Sequence, residues 1–399
     1  MTTANADLFT PAFQSDPHPV YARLRTDEPV RLVTLPGGNQ AWLVTRYEDA
    51  RRALADPRLC KSGVLAPTGP NTLIDPSVVE AMSKHMLTAD PPDHTRLRRL
   101  VSAAFTNRRV ELLRPRVQEI TDGLLDAMAG RDELDLIDAF AFPLPIQVIC
   151  ELLGVPAEDR ESFREWSDTI VSGVSAGERL PWAFASMLEY LRAMLARKRV
   201  EPADDLVSAL IAVSEEGDAL TENELTSTVF LLLIAGHETT VNLIGNAAYV
   251  LLSQRERWAE LRADPELLPG AIEEFLRFES PVETATFRVA VEDVELGGTT
   301  IPAGAAVLIG LLSGNRDDRR FADPDQFDPA RRDNAHLAFG HGIHYCLGAP
   351  LARLEARIAL GSLLDRFGDL RLAVDPAEVL WRPGVLMRGL TALPVTGLR

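Results

Sequence analysis

The sequence predicts a mainly α-helical fold with a minor β region, in one large domain spanning residues 1–399. Three observations lead to this prediction. Between about 92 and 270, apolar residues recur at three- and four-residue spacing, the pattern of amphipathic helices. Short β-like runs bounded by turn signals lie at about 30–45 and 285–312 and in the C-terminal tail. No internal repeat, low-complexity run or linker divides the chain.

The first elements follow from local patterns. Residues 17–30 indicate a short helix that ends before a proline. Residues 30–35 and 41–44 indicate two strands, joined by Pro-Gly-Gly-Asn as a hairpin. Residues 47–54 are helical by pattern. Residues 60–88 are rich in proline and glycine and predict a long loop, which in a compact domain is usually functional or mobile.

The C-terminal third changes character. Residues 288–296, a Gly-Gly pair and residues 307–312 predict a β-meander. A last helix is expected to open just after Cys346, with Gly348 and Pro350 in its first turn, where a proline costs no hydrogen bond.

The composition excludes several classes of protein. A net charge of −17 argues against nucleic acid and anionic membrane surfaces as general partners. Three cysteines without close spacing predict no disulfide framework and fit a reducing compartment. The N-terminus lacks signal-peptide features. The apolar stretch 229–252 contains His237 and Glu238, which are costly in a bilayer, so we expect a buried helix of a cytoplasmic protein.

Residues 339–361, FGHGIHYCLGAPLARLEARIALG, are the most informative stretch. A thiol at a helix N-terminus is stabilised as the thiolate, and nearby glycines let the backbone approach a flat group. Both features suit an axial haem ligand. The glycine loop lacks the Gly-Lys-Ser/Thr ending of a phosphate loop, and a zinc site with His341 and His344 lacks a fourth ligand. Cys346 alone leaves these alternatives, and an inert buried cysteine, open.

Two further groups could carry chemistry. Residues 235–240, AGHETT, place Glu238 beside Thr239 midway along the apolar helix. Either the hydroxyl bonds back to the preceding turn and the acid meets an arginine, or the hydroxyl holds a water or oxygen at a helix distortion. Glu274 and Arg277, three residues apart, share a helix face, where a surface ion pair is the ordinary interpretation.

Taken together in this order, these motifs resemble the cytochrome P450 family of haem-thiolate monooxygenases, of the soluble bacterial type. The haem-binding pattern of the family, Phe-Gly-x-Gly-x-His-x-Cys-x-Gly, is matched by Phe339, Gly340, Gly342, His344, Cys346 and Gly348. AGHETT resembles the oxygen-activating helix, and Glu274-x-x-Arg277 resembles the family's ExxR pair. The resemblance covers essentially the whole chain.

The resemblance implies haem b as the cofactor, with Cys346 as the iron ligand. The haem would also be contacted by Phe339, Gly340 and Gly348, and its propionates by His94, Arg98, Arg288 and His344. Two buried carboxylates need such cationic or hydrogen-bonding partners.

The resemblance also assigns a structural group. Glu274, Arg277 and Arg331 would support the haem loop without taking part in the chemistry. The family often has a proline where this chain has Ala335, a small departure that leaves the assignment intact.

The implied reaction inserts one atom of O₂ into a C–H or C=C bond. Glu238 and Thr239 would organise the protons that it needs. The segments at the family's pocket positions are largely aliphatic, which suggests a sizeable apolar substrate. These segments are 60–88, 166–182, 230–239, 282–287 and 385–388. They contain Leu65, Met82, Met86, Val171, Leu232, Thr284 and Leu386. Resemblance to actinobacterial tailoring enzymes favours hydroxylation or epoxidation of a macrolide or polyketide. The alternatives are a terpenoid, steroid or fatty-acid hydroxylase, and a non-catalytic haem-thiolate sensor or carrier.

Electrons would have to come from outside, because 399 residues leave no room for a fused flavin domain. The family implies a ferredoxin, served by a flavoprotein ferredoxin reductase. An acidic donor would need a local basic patch on this acidic chain. The candidates are Arg99, Arg108, Arg109, Arg353 and Arg357.

Overall fold

The computed structural model describes residues 8–36, 38–62, 74–172, 177–215 and 219–399. Helices predominate and the strands are few and short, which confirms the predicted fold class. The chain divides into two compact units. Unit 1 comprises Met1–Val64, Val117–Pro143 and Thr239–Arg399, and unit 2 comprises Leu65–Arg116 and Leu144–Glu238.

The α-helices of the described residues, in chain order, are α1 (Pro11–Ser15), α2 (His18–Asp27), α3 (Tyr47–Ala55), α4 (Pro76–Ser83), α5 (Asp93–Ala104), α6 (Asn107–Leu112), α7 (Arg114–Met128), α8 (Pro143–Leu153), α9 (Arg160–Ser172), α10 (Arg179–Val200), α11 (Leu206–Glu215), α12 (Glu222–Ser253), α13 (Arg255–Ala263), α14 (Leu268–Phe278), α15 (Leu311–Gly314) and α16 (Ala349–Arg366).

The strands are β1 (Val30–Thr34), β2 (Gln40–Val44), β3 (Leu59–Cys60), β4 (Glu133–Asp135), β5 (Arg288–Ala290), β6 (Val294–Leu296), β7 (Thr299–Ile301), β8 (Ala306–Ile309), β9 (Arg371–Leu372) and β10 (Pro394–Thr396).

Unit 1 contains these strands. A five-stranded sheet has the order β1-β2-β8-β5-β3, in which only β2 and β8 run parallel. The predicted hairpin is confirmed, with Val30 opposite Val44. Strands β1, β2, β3, β5 and β8 contribute to a buried core in which Val44 and Val307 have no exposed surface. Arg288 therefore begins a strand that is paired on both sides.

Unit 2 is helical in its described residues. Helix α10 packs against α4, α9 and α11. Leu191 and Leu195, one turn apart on α10, are fully buried, as the apolar spacing of this region predicts. At Gly236, α12 approaches α8 so closely that an added Cβ would stand 2.8 Å from Cδ1 of Ile149. A side chain at this position would require the Ile149 side chain to move.

Helix α12 is, among the described residues, the helix that is long and apolar enough to cross a membrane. In the structure, however, 78% of its most apolar window is buried inside the protein. It is therefore an interior helix, as the polar residues along it predicted.

Two predictions about individual elements were incomplete. The region 60–88 includes the helix α4, whose start is set by the Asp75 side chain accepting from the Ser77 amide; residues 63–73 of this region lie outside the described part. The expected meander is also more complex, because β6 and β7 form a separate hairpin while β5 pairs with β8. The last predicted strand ends at Ile309, and α15 follows it.

Candidate functional site: the cysteine loop and the helix α12

The loop before α16 has the backbone that its glycines predicted. Gly340 and Gly342 adopt φ values of 74° and 75°, a region that favours glycine. At Gly342 an added Cβ would also stand 3.0 Å from the Leu54 carbonyl oxygen. The Cys346 amide donates to the Phe339 carbonyl at 2.9 Å and closes the loop. The loop conformation therefore fixes where the thiol stands.

The thiol of Cys346 lies just before a helix N-terminus. Gly348 is the N-cap of α16, and a proline occupies the first turn. The positive end of the helix dipole favours the thiolate. Cys346 is exposed and forms no disulfide. Cys150 shows the contrast, because burial raises the pKa of its thiol to about 12 and leaves it an inert core residue.

Glu274 and Arg277 form a fully buried ion pair, not a surface pair. Both side chains have 0% exposure, and two hydrogen bonds of 2.8 Å join the guanidinium to the carboxylate. The remaining Arg277 N–H groups donate to the carbonyls of Asn315, Pro324 and Gln326. Every donor of the guanidinium is therefore satisfied, as a buried charge requires.

The Glu274 carboxylate also holds the chain that leads to the cysteine loop. It accepts from Arg331 Nε at 3.1 Å, from the Asp328 amide at 3.0 Å and from Asn334 Nδ2 at 3.1 Å. The structure thus brings together the three residues expected to form a structural group. Asn334 was missed by sequence reasoning, since a lone asparagine in a loop carries no pattern.

A second ion pair connects α14, the loop and α16. Arg353 donates to Glu273 at 2.7 and 2.8 Å, and its guanidinium lies 4.5 Å from the centre of the Phe339 ring. His336 Nε2 lies 3.1 Å from the same carboxylate. Although burial opposes ionisation, hydrogen bonds from Arg353 and His336 lower the pKa of Glu273 to about 2. Arg353, which was expected on a docking patch, is half-buried, and its guanidinium is paired with Glu273.

Helix α12 has one open face in an otherwise buried setting. Leu232, Gly236 and Thr239 are partly exposed and Ala235 is exposed, whereas Glu238 is buried. Positions i, i+3, i+4 and i+7 lie on one side of a helix, so these four residues form a continuous stripe. The stripe is apolar apart from the hydroxyl at its end.

His237 is a polar residue of this helix whose structural role the sequence did not indicate. Its side chain is fully buried, with Nδ1 2.8 Å from the Leu233 carbonyl and Nε2 2.8 Å from Ser167 Oγ. A carbonyl only accepts, so Nδ1 carries the proton and Nε2 accepts from the serine hydroxyl. His237 thus fixes α9 against the first half of α12.

The four residues expected at the haem propionates are divided between the units. In unit 2, His94 and Arg98 stand one turn apart on α5, with His94 buried. In unit 1, Arg288 is buried at the start of β5 and donates to the Leu59 carbonyl at 3.1 Å. His344 ends a short 3₁₀ helix, Gly342–His344, and is half-buried.

These residues fit a haem-thiolate cofactor. Cys346 places its thiol just before a helix N-terminus, which favours the thiolate, on a loop whose glycines leave room for a flat group. The buried Arg288 supplies a cation suited to a propionate. No group of three or more metal-binding side chains occurs in the described residues.

Comparisons with known proteins agree with this chemistry. Residues 186–379 match the family model described as cytochrome P450. Cytochrome P450 107B1 of Saccharopolyspora erythraea is 54% identical over 403 residues, which cover 99% of each chain. Mycinamicin IV hydroxylase/epoxidase of Micromonospora griseorubida is 44% identical over 94% of each chain.

Solved structures give the same result. The tirandamycin C-bound P450 monooxygenase TamI superposes with a TM-score of 0.91 at 50% identity, covering 97% of this chain and 99% of that one. Identity at this level over nearly the full length of both chains shows common family membership as well as a common fold. The chain therefore belongs to the cytochrome P450 family of haem b-containing monooxygenases.

Proposed function

We propose that this monooxygenase hydroxylates or epoxidises a sizeable apolar small molecule of the macrolide or polyketide class, in secondary-metabolite biosynthesis. The observation that carries the proposal is the open stripe of α12, in which three apolar residues lead to Thr239. Such a surface suits an aliphatic substrate, which would lie beside the Thr239 hydroxyl, a group that can donate and accept hydrogen bonds. The tirandamycin C complex and the mycinamicin IV hydroxylase/epoxidase support this substrate class.

Other expected pocket segments support an apolar substrate. Leu386 is 38% exposed, and Val282 and Met387 are partly exposed and paired in a β-bridge. Thr284, expected at the pocket surface, is fully buried. Its hydroxyl donates to the Val385 carbonyl at 2.7 Å, so it holds the two segments together and does not line the pocket. Leu65 lies outside the described residues.

The haem, when bound, supplies O₂ binding and activation, and the thiolate ligand favours O–O cleavage. The chain's residues carry the remaining tasks. Cys346 Sγ would bind the iron, with its position fixed by the loop. The family resemblance assigns His94 and Arg98 of unit 2, and Arg288 and His344 of unit 1, to the propionates. The Thr239 hydroxyl would orient a water, and the Glu238 carboxyl group would take up a proton from water and pass it on towards Thr239 Oγ1, returning to the carboxylate.

Thr239→Ala tests the proton-delivery role. The variant keeps haem and substrate binding, but product formed per NAD(P)H falls by on the order of tenfold, with peroxide released instead, because the hydroxyl no longer positions a proton donor. Product and peroxide are measured against NAD(P)H consumed. Thr240→Val, at a neighbouring buried position, is the matched control and keeps wild-type coupling. Unchanged coupling in Thr239→Ala would contradict the role.

The substrate class is tested by the low-to-high spin shift of the haem. The probes are mycinamicin IV, tirandamycin C, testosterone and myristic acid. A shift with one of the first two, followed by an oxygenated product on turnover, is the expected result. A shift with only testosterone or myristic acid would move the assignment to a steroid or fatty-acid hydroxylase. Binding without any product would favour a sensor or carrier.

The electron donor is proposed to be a small acidic ferredoxin, reduced by a flavoprotein, in the cytoplasm. A P450 monooxygenase needs an external donor, and a positive surface speeds the encounter with an acidic partner. In unit 1, the side chain of Arg357 is exposed and forms no ion pair among the described residues. The other candidate in this unit, Arg353, is paired with Glu273. In unit 2, Arg99 and Arg108 are exposed and Arg109 lies 3.9 Å from Asp204.

Arg357→Glu tests this docking residue. Reduction of the haem by reduced ferredoxin is expected to slow several-fold at low salt, and its salt dependence to flatten, because a rim charge acts mainly on the association rate. Stopped-flow reduction over a range of salt concentrations measures both. Arg371→Glu, at an exposed arginine of β9, is the control. Identical rates and salt dependence in Arg357→Glu and the wild type would exclude Arg357 from docking.

A further inference from the structure

In unit 1, two segments expected to border the substrate are joined to each other. The expected segments, 282–287 and 385–388, lie within residues 281–287 and the turn 384–389. The Glu283 amide donates to the Leu386 carbonyl at 2.9 Å, and the Arg388 amide donates back to residue 281 at 3.0 Å. We call the turn seated when these hydrogen bonds to 281–287 are formed. The position of Leu386, the most exposed apolar side chain of the turn, therefore depends on the seated turn.

A buried charged cluster lies beneath the turn. Arg388 pairs with Glu279 and donates to the Gln14 carbonyl at 2.8 Å. His18 and Arg316 also approach the Glu279 carboxylate, at 3.4 and 3.9 Å. Although burial opposes ionisation, Arg388 and the other partners hold the pKa of Glu279 far below its ordinary value. Arg388 is thus the residue by which the turn is anchored.

The turn is also fitted closely against α12. Asn246 Nδ2 donates to the Arg388 carbonyl at 3.0 Å. At Gly389 an added Cβ would stand 2.0 Å from Oδ1 of Asn242. A turn packed this tightly cannot shift without breaking several contacts at once, so it has a defined seated position.

Glu283 is a second buried carboxyl in the same region, and its surroundings differ. Its Oε1 accepts from the Tyr21 hydroxyl at 2.6 Å, while Oε2 has no hydrogen-bond partner among the described residues. Burial raises the pKa of Glu283 to about 7, the nearby Glu279 adds to this, and Arg388 and the Tyr21 hydroxyl oppose it. Glu283 can therefore change charge near neutral pH.

Ionised Glu283 would compete with Glu279 for the Arg388 guanidinium. Arg388 already pairs with Glu279, and it belongs to the turn itself. A new buried charge at Glu283 is stabilised only by drawing Arg388 towards it or by admitting water, and either change disturbs the seated turn. Protonated Glu283 carries no charge, so it needs neither a movement of Arg388 nor the entry of water.

We propose that the Tyr21–Glu283 pair is a positioning device for the turn 384–389, which keeps the turn seated while Glu283 is protonated and loosens it when Glu283 ionises. The inference deepens the proposed function and rests on it for one consequence, that the affinity for an apolar substrate falls as the turn loosens. Tyr21 and Glu283 are positioning residues, not catalytic ones.

The sign of the pH dependence follows from proton binding. With the turn seated, Glu283 binds its proton up to about pH 7; in a loosened, solvated turn it would titrate near about 4.3. The seated state therefore binds more protons between these values, and its advantage declines as pH rises from about 4.3 to about 7 and is constant above.

Hydrogen exchange at the backbone amides of the turn, on the haem-loaded protein without substrate, tests the proposal independently of the substrate class. Protection factors, corrected for intrinsic exchange, are measured between pH 5 and 8.5. In the wild type, protection is expected to fall several-fold up to about pH 7 and then level off. In Glu283→Gln, which still accepts from Tyr21 but cannot ionise, protection stays constant with pH.

Tyr21→Phe gives a second, directional result. Loss of the hydroxyl that stabilises the carboxylate raises the pKa of Glu283, so the decline is expected to continue to higher pH. Glu295→Gln, at an exposed carboxyl of β6, behaves as the wild type. The dissociation constant for mycinamicin IV, measured by the spin shift, is expected to follow the same pattern in all four proteins. An unaltered pH dependence of protection in Glu283→Gln would overturn the proposal, whereas absence of any spin shift with mycinamicin IV would count against the substrate class alone.

Discussion

The buried ion pair between Glu274 and Arg277 is the constraint on which the rest of unit 1 depends. Neither side chain reaches solvent, so each charge has to be neutralised by fixed neighbours. Arg277 takes its remaining partners from carbonyls between residues 315 and 326, and Glu274 takes Arg331 and Asn334. These partners lie in the chain that runs into the cysteine loop. The pair therefore determines where that loop starts.

Two further buried glutamates, Glu279 and Glu283, differ from each other in the pKa of their carboxyl groups. Glu279 meets two arginines and stays ionised, whereas Glu283 meets a tyrosine hydroxyl and burial raises its pKa to about 7. The difference lies in the neighbours, since all these carboxyls are buried. Glu274 thus supports the cysteine loop, whereas Glu283, beneath the turn 384–389, is the carboxyl that we propose to respond to pH.

Sequence patterns predicted the features that are local in the chain. The hairpin of β1 and β2, the helix after Cys346 and the glycines at positive φ follow from short-range geometry. Polar pairs between distant residues have no periodicity and were missed. Tyr21 and Glu283 are 262 positions apart, and the partners of Arg353 became visible only in the fold. The motif residues were recognised through family resemblance, because Cys346 alone was compatible with several sites.

The measurement that tests the central claim most directly is the ferrous carbon monoxide spectrum of Glu274→Gln, read beside its free energy of unfolding. A glutamine leaves Arg277 as an uncompensated buried charge, at a cost of about 3–5 kcal/mol. We expect the variant to lose the thiolate-type band and this stability together, while Glu256→Gln, at an exposed position of α13, keeps both. A Glu274→Gln protein with the wild-type thiolate band and wild-type stability would contradict the account.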